Sequence, residues 1–225
     1  MPFKDRLSVV KINDAETRKQ ALEVFEAVYR QEKDWVPELE KILPVEDIGS
    51  DKVSWFAAYV DDRMVGVTRV LYELPLELYE EYGFKIIVPG LDVDKFIEEN
   101  NIAEVGRFAV LPEYRSKILV AAALMRESSH EAVKREFTHF ITDVSEEDPN
   151  TPYGFHKRVL GFVEVATHEH GEMKTSSRRI TMLLDLKEAA NQYRKKKQWI
   201  YRYLLEGLEA QDEKTASDSS VAAVH

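Results

Sequence analysis

Apolar positions along the chain follow two rhythms. In "VSWFAAYVDDRMVGVTRVLYEL" two β-branched and aromatic runs flank Asp61-Asp62-Arg63, a compact polar turn, and predict a β-hairpin. In "DAETRKQALEVFEAVYRQE" Ala21, Val24, Phe25 and Val28 recur at helical spacing behind Asp14, a suitable N-cap, and predict a helix. "LSVVKI" (7–12) reads as a short strand and "DWVPELEKIL" as a short helical or irregular piece. "PLELYEEYG" predicts a helix with Pro75 near its start and Gly83 past its end. "FKIIVPGLDVDKFIEENN" reads as a loop-rich insert holding a short strand and a short helix.

The second half is more regular. The pattern predicts a strand over 102–111, a long helix over 116–135 and a strand over 138–144, a strand–helix–strand unit that should be a right-handed parallel crossover. "PNTPYGFHKRVLGF" predicts a loop and a short helix ended by Gly161, and "FVEVATHEH" with "RRITMLLDL" a last hairpin. Helices thus interleave with strands, and the expected fold is α/β, mixed α+β: a central mixed sheet of about six to seven strands flanked by helices. This domain is expected to span residues 1–186. An amphipathic helix follows at 187–209, with Tyr193, Ile200, Leu204 and Leu208 on one stripe, then a disordered tail at 210–225.

Composition narrows the function. The chain of 225 residues is 44% hydrophobic and 32% charged, the balance of a globular protein. It has no cysteine, hence no disulfide, thiol nucleophile or cysteine-ligated metal. The first residues hold no apolar core long enough for a secretory signal, and "ILVAAALM" is too short to span a bilayer, so a cytoplasmic location is expected. The formal net charge of −10 argues against general nucleic-acid binding. Basic residues nevertheless cluster at 115–117, 134–135, 156–158, 178–179 and 194–197.

Candidate chemistry concentrates in "AEVGRFAVLPEYRSKILVAAAL", residues 103–124, where an apolar strand carries Glu104 and Arg107 and turns into a helix without a glycine. A buried carboxylate is costly unless compensated, so Glu104 is either a functional group or half of an ion pair. Strict alternation puts Glu104 and Arg107 on opposite faces, so a pair between them needs a bulge. Arg107 positions or pairs rather than reacts, because guanidinium keeps its proton. Arg69 is either a carboxylate ligand or a surface strand residue. His156 is either a proton donor or an exposed helix histidine. The "HEH" at 168–170 has no visible third ligand and reads as surface hairpin, so no metal is expected. The "RKKKQWIYR" stretch suits packing on the domain, a membrane surface or an acidic carrier protein.

The hairpin "WFAAYVDDRMVGVTRV", the strand–turn–helix above and "PYGFHKRVLGFVEV", in this order, resemble the GNAT fold of N-acyltransferases over roughly residues 8–186. "VGVTRVLYELPLEL" followed by "IAEVGRFAVLPEYR" resembles the acyl-homoserine-lactone synthases and long-chain N-acyl amino acid synthases, which pair an Arg after the hairpin turn with a Glu-x-x-Arg-Phe strand. Arg69 matches the first, and Glu104, Arg107 and Phe108 the second.

The resemblance implies transfer of a long acyl chain from acyl carrier protein or coenzyme A to a primary amine of a small molecule such as an amino acid. It implies Glu104 as base and, with His156 near the leaving thiol, a site completed by Arg69, Arg107 and the backbone of Phe108, Ala109 and Val110, which would meet the thioester oxygen. Arg115, Ser116 and Lys117 would hold the donor phosphate. Ile118 and Val120 stand where ordinary acetyl-coenzyme A enzymes have small residues, which favours a carrier protein. The tyrosine usual before Leu-Gly-Phe is replaced by Lys157, with Tyr153 nearby. Two other readings stay open: an ordinary acetyl-coenzyme A-dependent N-acetyltransferase, and a non-catalytic GNAT-like domain that binds an acyl ligand or a partner.

Overall fold

The turn at Asp61-Asp62 joins strands β2 (Val53–Val60) and β3 (Arg63–Leu71) in an antiparallel pair. Asp61 takes φ 54° there, a left-handed conformation that Asp tolerates better than most residues. A computed structural model of the chain describes residues 2–74, 81–170, 173 and 177–207. The helix expected at 75–83 and the tail expected at 210–225 fall largely or wholly outside these residues.

Six further strands complete one sheet: β1 (Leu7–Lys11), β4 (Lys85–Ile86), β5 (Ile102–Val110), β6 (His139–Ser145), β7 (Val163–His168) and β8 (Arg179–Asp185). Their order is β1-β2-β3-β5-β6-β8-β7-β4. Among the described residues β5 and β6 run parallel and the other pairs are antiparallel. Among the described residues the strand count is eight, not six to seven, because the insert adds β4 to the far edge, where Lys85 and Ile86 pair with Thr167 and Ala166.

Helices cover both faces. On one side lies α1 (Ala15–Phe25), whose N-cap Asp14 accepts a hydrogen bond from the Thr17 N–H at 2.8 Å. It continues as a wider turn over Glu26–Glu32. On the other side lies α3 (Ile118–Lys134), after the short α2 (Val93–Glu99) of the insert. The β2 run is continuously apolar because Trp55 and Ala57 pack under α1 while Phe56 and Ala58 pack under α3. Each large side chain buried this way contributes about 1.5–3 kcal/mol.

The short α4 (Tyr153–Phe155) runs on as a wide turn over His156–Leu160 and ends at Gly161, whose φ of 86° suits a residue without Cβ. The single helix expected at 187–209 is two: α5 (Leu186–Lys195) and α6 (Trp199–Leu205). The break falls in the lysine run, where Lys196 is extended and its ammonium sits 4.3 Å from the Tyr201 ring centre. The Tyr193 hydroxyl donates to the Leu160 carbonyl at 2.6 Å, and Ile200, Tyr203 and Leu204 join the α3-side core.

Two departures from a regular ladder meet at the middle of the sheet. β5 and β6 pair only through Ile102–His139, Ala103–Phe140 and Glu104–Ile141. On its other edge, β5 slips register against β3 between Val67 and Arg69, and Arg107 takes φ 50°. That is a bulge, which bends a strand and sharpens its twist.

Candidate active site

Beyond Glu104 the two central strands stop pairing, and a cavity of about 370 Å³ opens there. Thr142 and Val144 line it from the α3 face of β6, and Asp143 and Ser145 from the opposite face. Residues of both parities can reach one cavity only if it passes between the strands. The volume lies within the about 300–1,000 Å³ usual for small-ligand sites.

The α1-side half is charged. Arg69 Nη2 donates to Glu104 Oε1 at 2.5 Å. Arg69 stands on the same sheet face as Glu104, one strand away, so the carboxylate is half of an ion pair with it. Gly106 makes room for this contact: a Cβ there would lie 2.8 Å from Glu104 Oε1. Arg69 also packs on the Trp55 ring, with its guanidinium carbon 6.0 Å from the ring centre. Arg107, Arg179, Asp143 and Tyr29 line the same half. Burial pushes the Tyr29 phenol up to about 12, against the opposing pull of Arg107, Arg179 and Arg69. Its hydroxyl donates to the Phe108 carbonyl at 3.3 Å, and Thr68 Oγ1 donates to the Gly106 carbonyl at 3.1 Å. Both bonds hold main chain of the bulged segment.

The α3-side half is more apolar, with Phe108, Val110, Ala121, Phe155 and His156 on its wall. His156 is buried, not the exposed histidine of one sequence reading, and its ring meets Phe108 and Phe162 edge-on at 6.1 and 5.0 Å. Burial lowers its pKa to about 4, so the imidazole is neutral at pH 7. It offers a hydrogen bond there, not the imidazolium proton expected for a general acid.

Of the other expected residues, Ala109 is buried in the α1-side core and does not line the cavity. Lys117 and Arg115 line the mouth, whereas Ser116 does not. Arg115 is engaged: Nε donates to the Val110 carbonyl at 3.0 Å, and the two terminal nitrogens grip Glu32 at 2.7 and 2.5 Å. Hydrogen bonding to Arg115 holds the Glu32 carboxyl below its ordinary range. Asn150 Nδ2 also donates to Glu32, at 3.0 Å, and Lys33 pairs with Asp148, so the loop after β6 is tied across the mouth. Val120 is fully buried in the core, while Ile118 stands 40% exposed at the helix start. Lys157 and Tyr153 do not line the cavity; Lys157 bonds Glu164 at 2.5 Å and the Tyr153 hydroxyl at 2.7 Å, so neither stands in for a tyrosine at the cavity wall.

The "HEH" hairpin is not all surface. His168 is 1% exposed, stacked on Phe84 at 4.4 Å, with Nε2 3.1 Å from Asp143 Oδ2. Among the described residues no group of three or more His, Cys, Asp or Glu is placed to hold a metal. No helix among them is long and apolar enough to cross a membrane. Asp143, Arg179 and Tyr29 escape a reading by sequence; the only hint is a charge inside the apolar strand β6 and one at the start of β8.

A family model described as N-acyl amino acid synthase FeeM matches residues 20–177. The chain belongs to this family. A comparison with the curated proteins finds no match. Among solved structures, FeeM itself, an N-acyl amino acid synthase from uncultured soil microbes, superposes with a TM-score of 0.63 at 15% identity, covering 83% of this chain and 94% of that one. Aminoglycoside 6'-acetyltransferase type Ii gives 0.57 at 14% identity, over 80% and 97% of the two chains. The Escherichia coli ribosomal-protein-S18-alanine N-acetyltransferase gives 0.54 at 14% identity, over 80% and 94%. The fold is that of GNAT enzymes, and as a FeeM-family member the protein is an N-acyltransferase.

Proposed function

We propose that the protein transfers a long acyl chain from the thioester of an acyl carrier protein to the amine of an amino acid, in the cytoplasm. The observation that carries this is the slot between β5 and β6, charged on one sheet face and more apolar on the other. The thioester threads the slot with its chain among Phe108, Val110 and Phe155, and the amine approaches from the Glu104 side. Membership of the N-acyl amino acid synthase family supports the amino acid as acceptor.

The chemistry needs a free amine. The ammonium gives one proton to a carboxylate, for which Glu104 is the candidate. Nitrogen then attacks the thioester carbonyl, the N–C bond forms and the C–S bond breaks. The second proton lost by nitrogen leaves on the thiol. Main-chain N–H groups between Phe108 and Val110, on a strand edge that β6 has left, are the candidate donors to the oxyanion. Lys117 is the candidate partner of the donor phosphate. Ile118 at the helix start leaves less room for a pyrophosphate than a small residue would, which supports a carrier protein over coenzyme A.

The test is a donor matrix: acyl groups from acetyl to palmitoyl, each on coenzyme A and on carrier protein, with mixed amino acids as acceptors and products read by mass spectrometry. Long-chain products from the carrier protein are expected. Efficient transfer of acetyl from coenzyme A instead overturns both the chain length and the donor.

A further inference from the structure

We propose that Asp143 and Arg179 together recognise the acceptor as a zwitterion, with Asp143 facing its ammonium and Arg179 its carboxylate; this rests on the amino acid reading above. The two residues come from neighbouring strands. β6 and β8 pair antiparallel, with Asp143 opposite Thr181 and Ser145 opposite Arg179. Asp143 and Arg179 therefore stand diagonally on one sheet face, within reach of a single small molecule. That face is the charged half of the cavity, which both residues line. The residues between them, Val144 and Ile180, point the other way into the α3-side core.

Each has one atom whose bonding is incomplete. Asp143 Oδ1 and Arg179 Nη1 are buried without a hydrogen-bond partner among the described residues. Buried polar atoms are nearly always bonded, and orphans of both charges in one cavity, with Arg69 Nε and Arg107 Nε beside Arg179 Nη1, call for a ligand that carries both. Beside Asp143, His168 Nδ1 donates to the His170 carbonyl at 2.6 Å, and Nε2 lies 3.1 Å from Asp143 Oδ2 without a hydrogen bond to it, so Asp143 Oδ1 gains no partner from this side. Arg69, one of the carboxylate ligands suggested by the sequence, gives Nη2 to Glu104, whereas Arg179 stands diagonal to Asp143 on one face and is the better placed of the two to share its ligand.

An α-amino acid satisfies both atoms, since its ammonium and carboxylate share one carbon. A polyamine answers Asp143 alone, and a fatty or keto acid answers Arg179 alone. The enzyme should therefore discriminate against acceptors that lack the carboxylate.

The experiment compares kcat/KM for an accepted amino acid, its carboxamide and its decarboxylated amine in the wild type, R179Q, D143N and R107Q, with far-ultraviolet circular dichroism as a folding control. The wild type should prefer the amino acid over both analogues. R179Q should lose about 10- to 100-fold on the amino acid, the worth of a charge-assisted hydrogen bond, and clearly less on the carboxamide and the amine, so that the wild-type preference for the carboxylate shrinks. D143N should lower kcat/KM for all three acceptors, because each offers the same ammonium. Equal wild-type rates on the three acceptors overturn the proposal without any variant. So does an equal loss on all three in R179Q, or a selective loss that appears in R107Q instead. Acylation of amines with no carboxylate preference defeats this inference alone, whereas no acylation of any acceptor defeats the reading beneath it as well.

Discussion

Arg69 and Glu104 meet across β3 and β5 at 2.5 Å, with side chains 12% and 19% exposed. A carboxylate so held is both a candidate base and half of a structural pair. Glu104→Gln should therefore lower turnover sharply and also cost about 1–3 kcal/mol of stability, because the Arg69 charge loses the carboxylate it bonds at 2.5 Å. Chemical denaturation gives the second number. The double variant with Arg69→Gln should recover part of the stability but none of the turnover. Full turnover in Glu104→Gln removes it as base.

His156 makes stability pH-dependent with a definite sign. Its pKa is about 4 in the folded chain against an ordinary 6.5. As pH falls below about 6.5 the unfolded chain binds a proton that the folded chain refuses. Stability is therefore lost between about 6.5 and 4, by up to about 3 kcal/mol at about 1.4 kcal/mol per pH unit. His130 and His139, whose pKa values burial also lowers, act in the same direction. Urea unfolding at pH 7 and pH 4.5 should show a smaller difference in His156→Phe than in the wild type. An unchanged difference would mean that His156 is solvated.

What the sequence discloses and what it withholds divide along physical lines. The β2–β3 hairpin, the Asp14 cap and the β5–α3–β6 unit are written in local patterns, so the fold and its GNAT resemblance are legible. Cross-strand register is not local: Arg69 and Glu104 lie 35 residues apart, and their meeting depends on a one-residue slip between β3 and β5. No residue type announces that slip, since Arg107 is an unusual occupant of a left-handed φ. Asp143 and Arg179 come together through β6–β8 register in the same way. His156 reads as exposed on its own short helix because the rings that bury it, Phe108 and Phe162, arrive from other elements.

Thr68 stands on β3 at the slip, fully buried, with Oγ1 donating to the Gly106 carbonyl at 3.1 Å. Thr68→Val keeps the shape and deletes the bond, leaving a buried carbonyl short of one partner. The expected cost is about 1–2 kcal/mol in thermal or urea unfolding. If the bulge sets the distance between thioester and amine, kcat should fall while acceptor KM stays near its wild-type value. Loss of stability with an unchanged kcat would confine Thr68 to a structural role.

At the mouth, Arg115 and Lys117 are two residues apart but differently placed. Arg115 ties the end of β5, through the Val110 carbonyl, to Glu32 and so to the turn after α1, and its side chain is 24% exposed. Lys117 lies exposed just before α3, without a side-chain cap bond. The clamp and the exposed lysine should separate in experiment. Arg115→Gln should lower stability by about 1 kcal/mol or more, because a bidentate pair and a main-chain bond go together. Lys117→Gln should leave stability within about 0.5 kcal/mol, as an exposed substitution does. It should instead raise donor KM, with a weaker dependence on salt than the wild type has, since one screened attraction to the donor phosphate is gone. Steady-state kinetics at low and high salt read this directly. A salt dependence that vanishes in Arg115→Gln and persists in Lys117→Gln would assign the phosphate to Arg115, released from Glu32 when the donor binds.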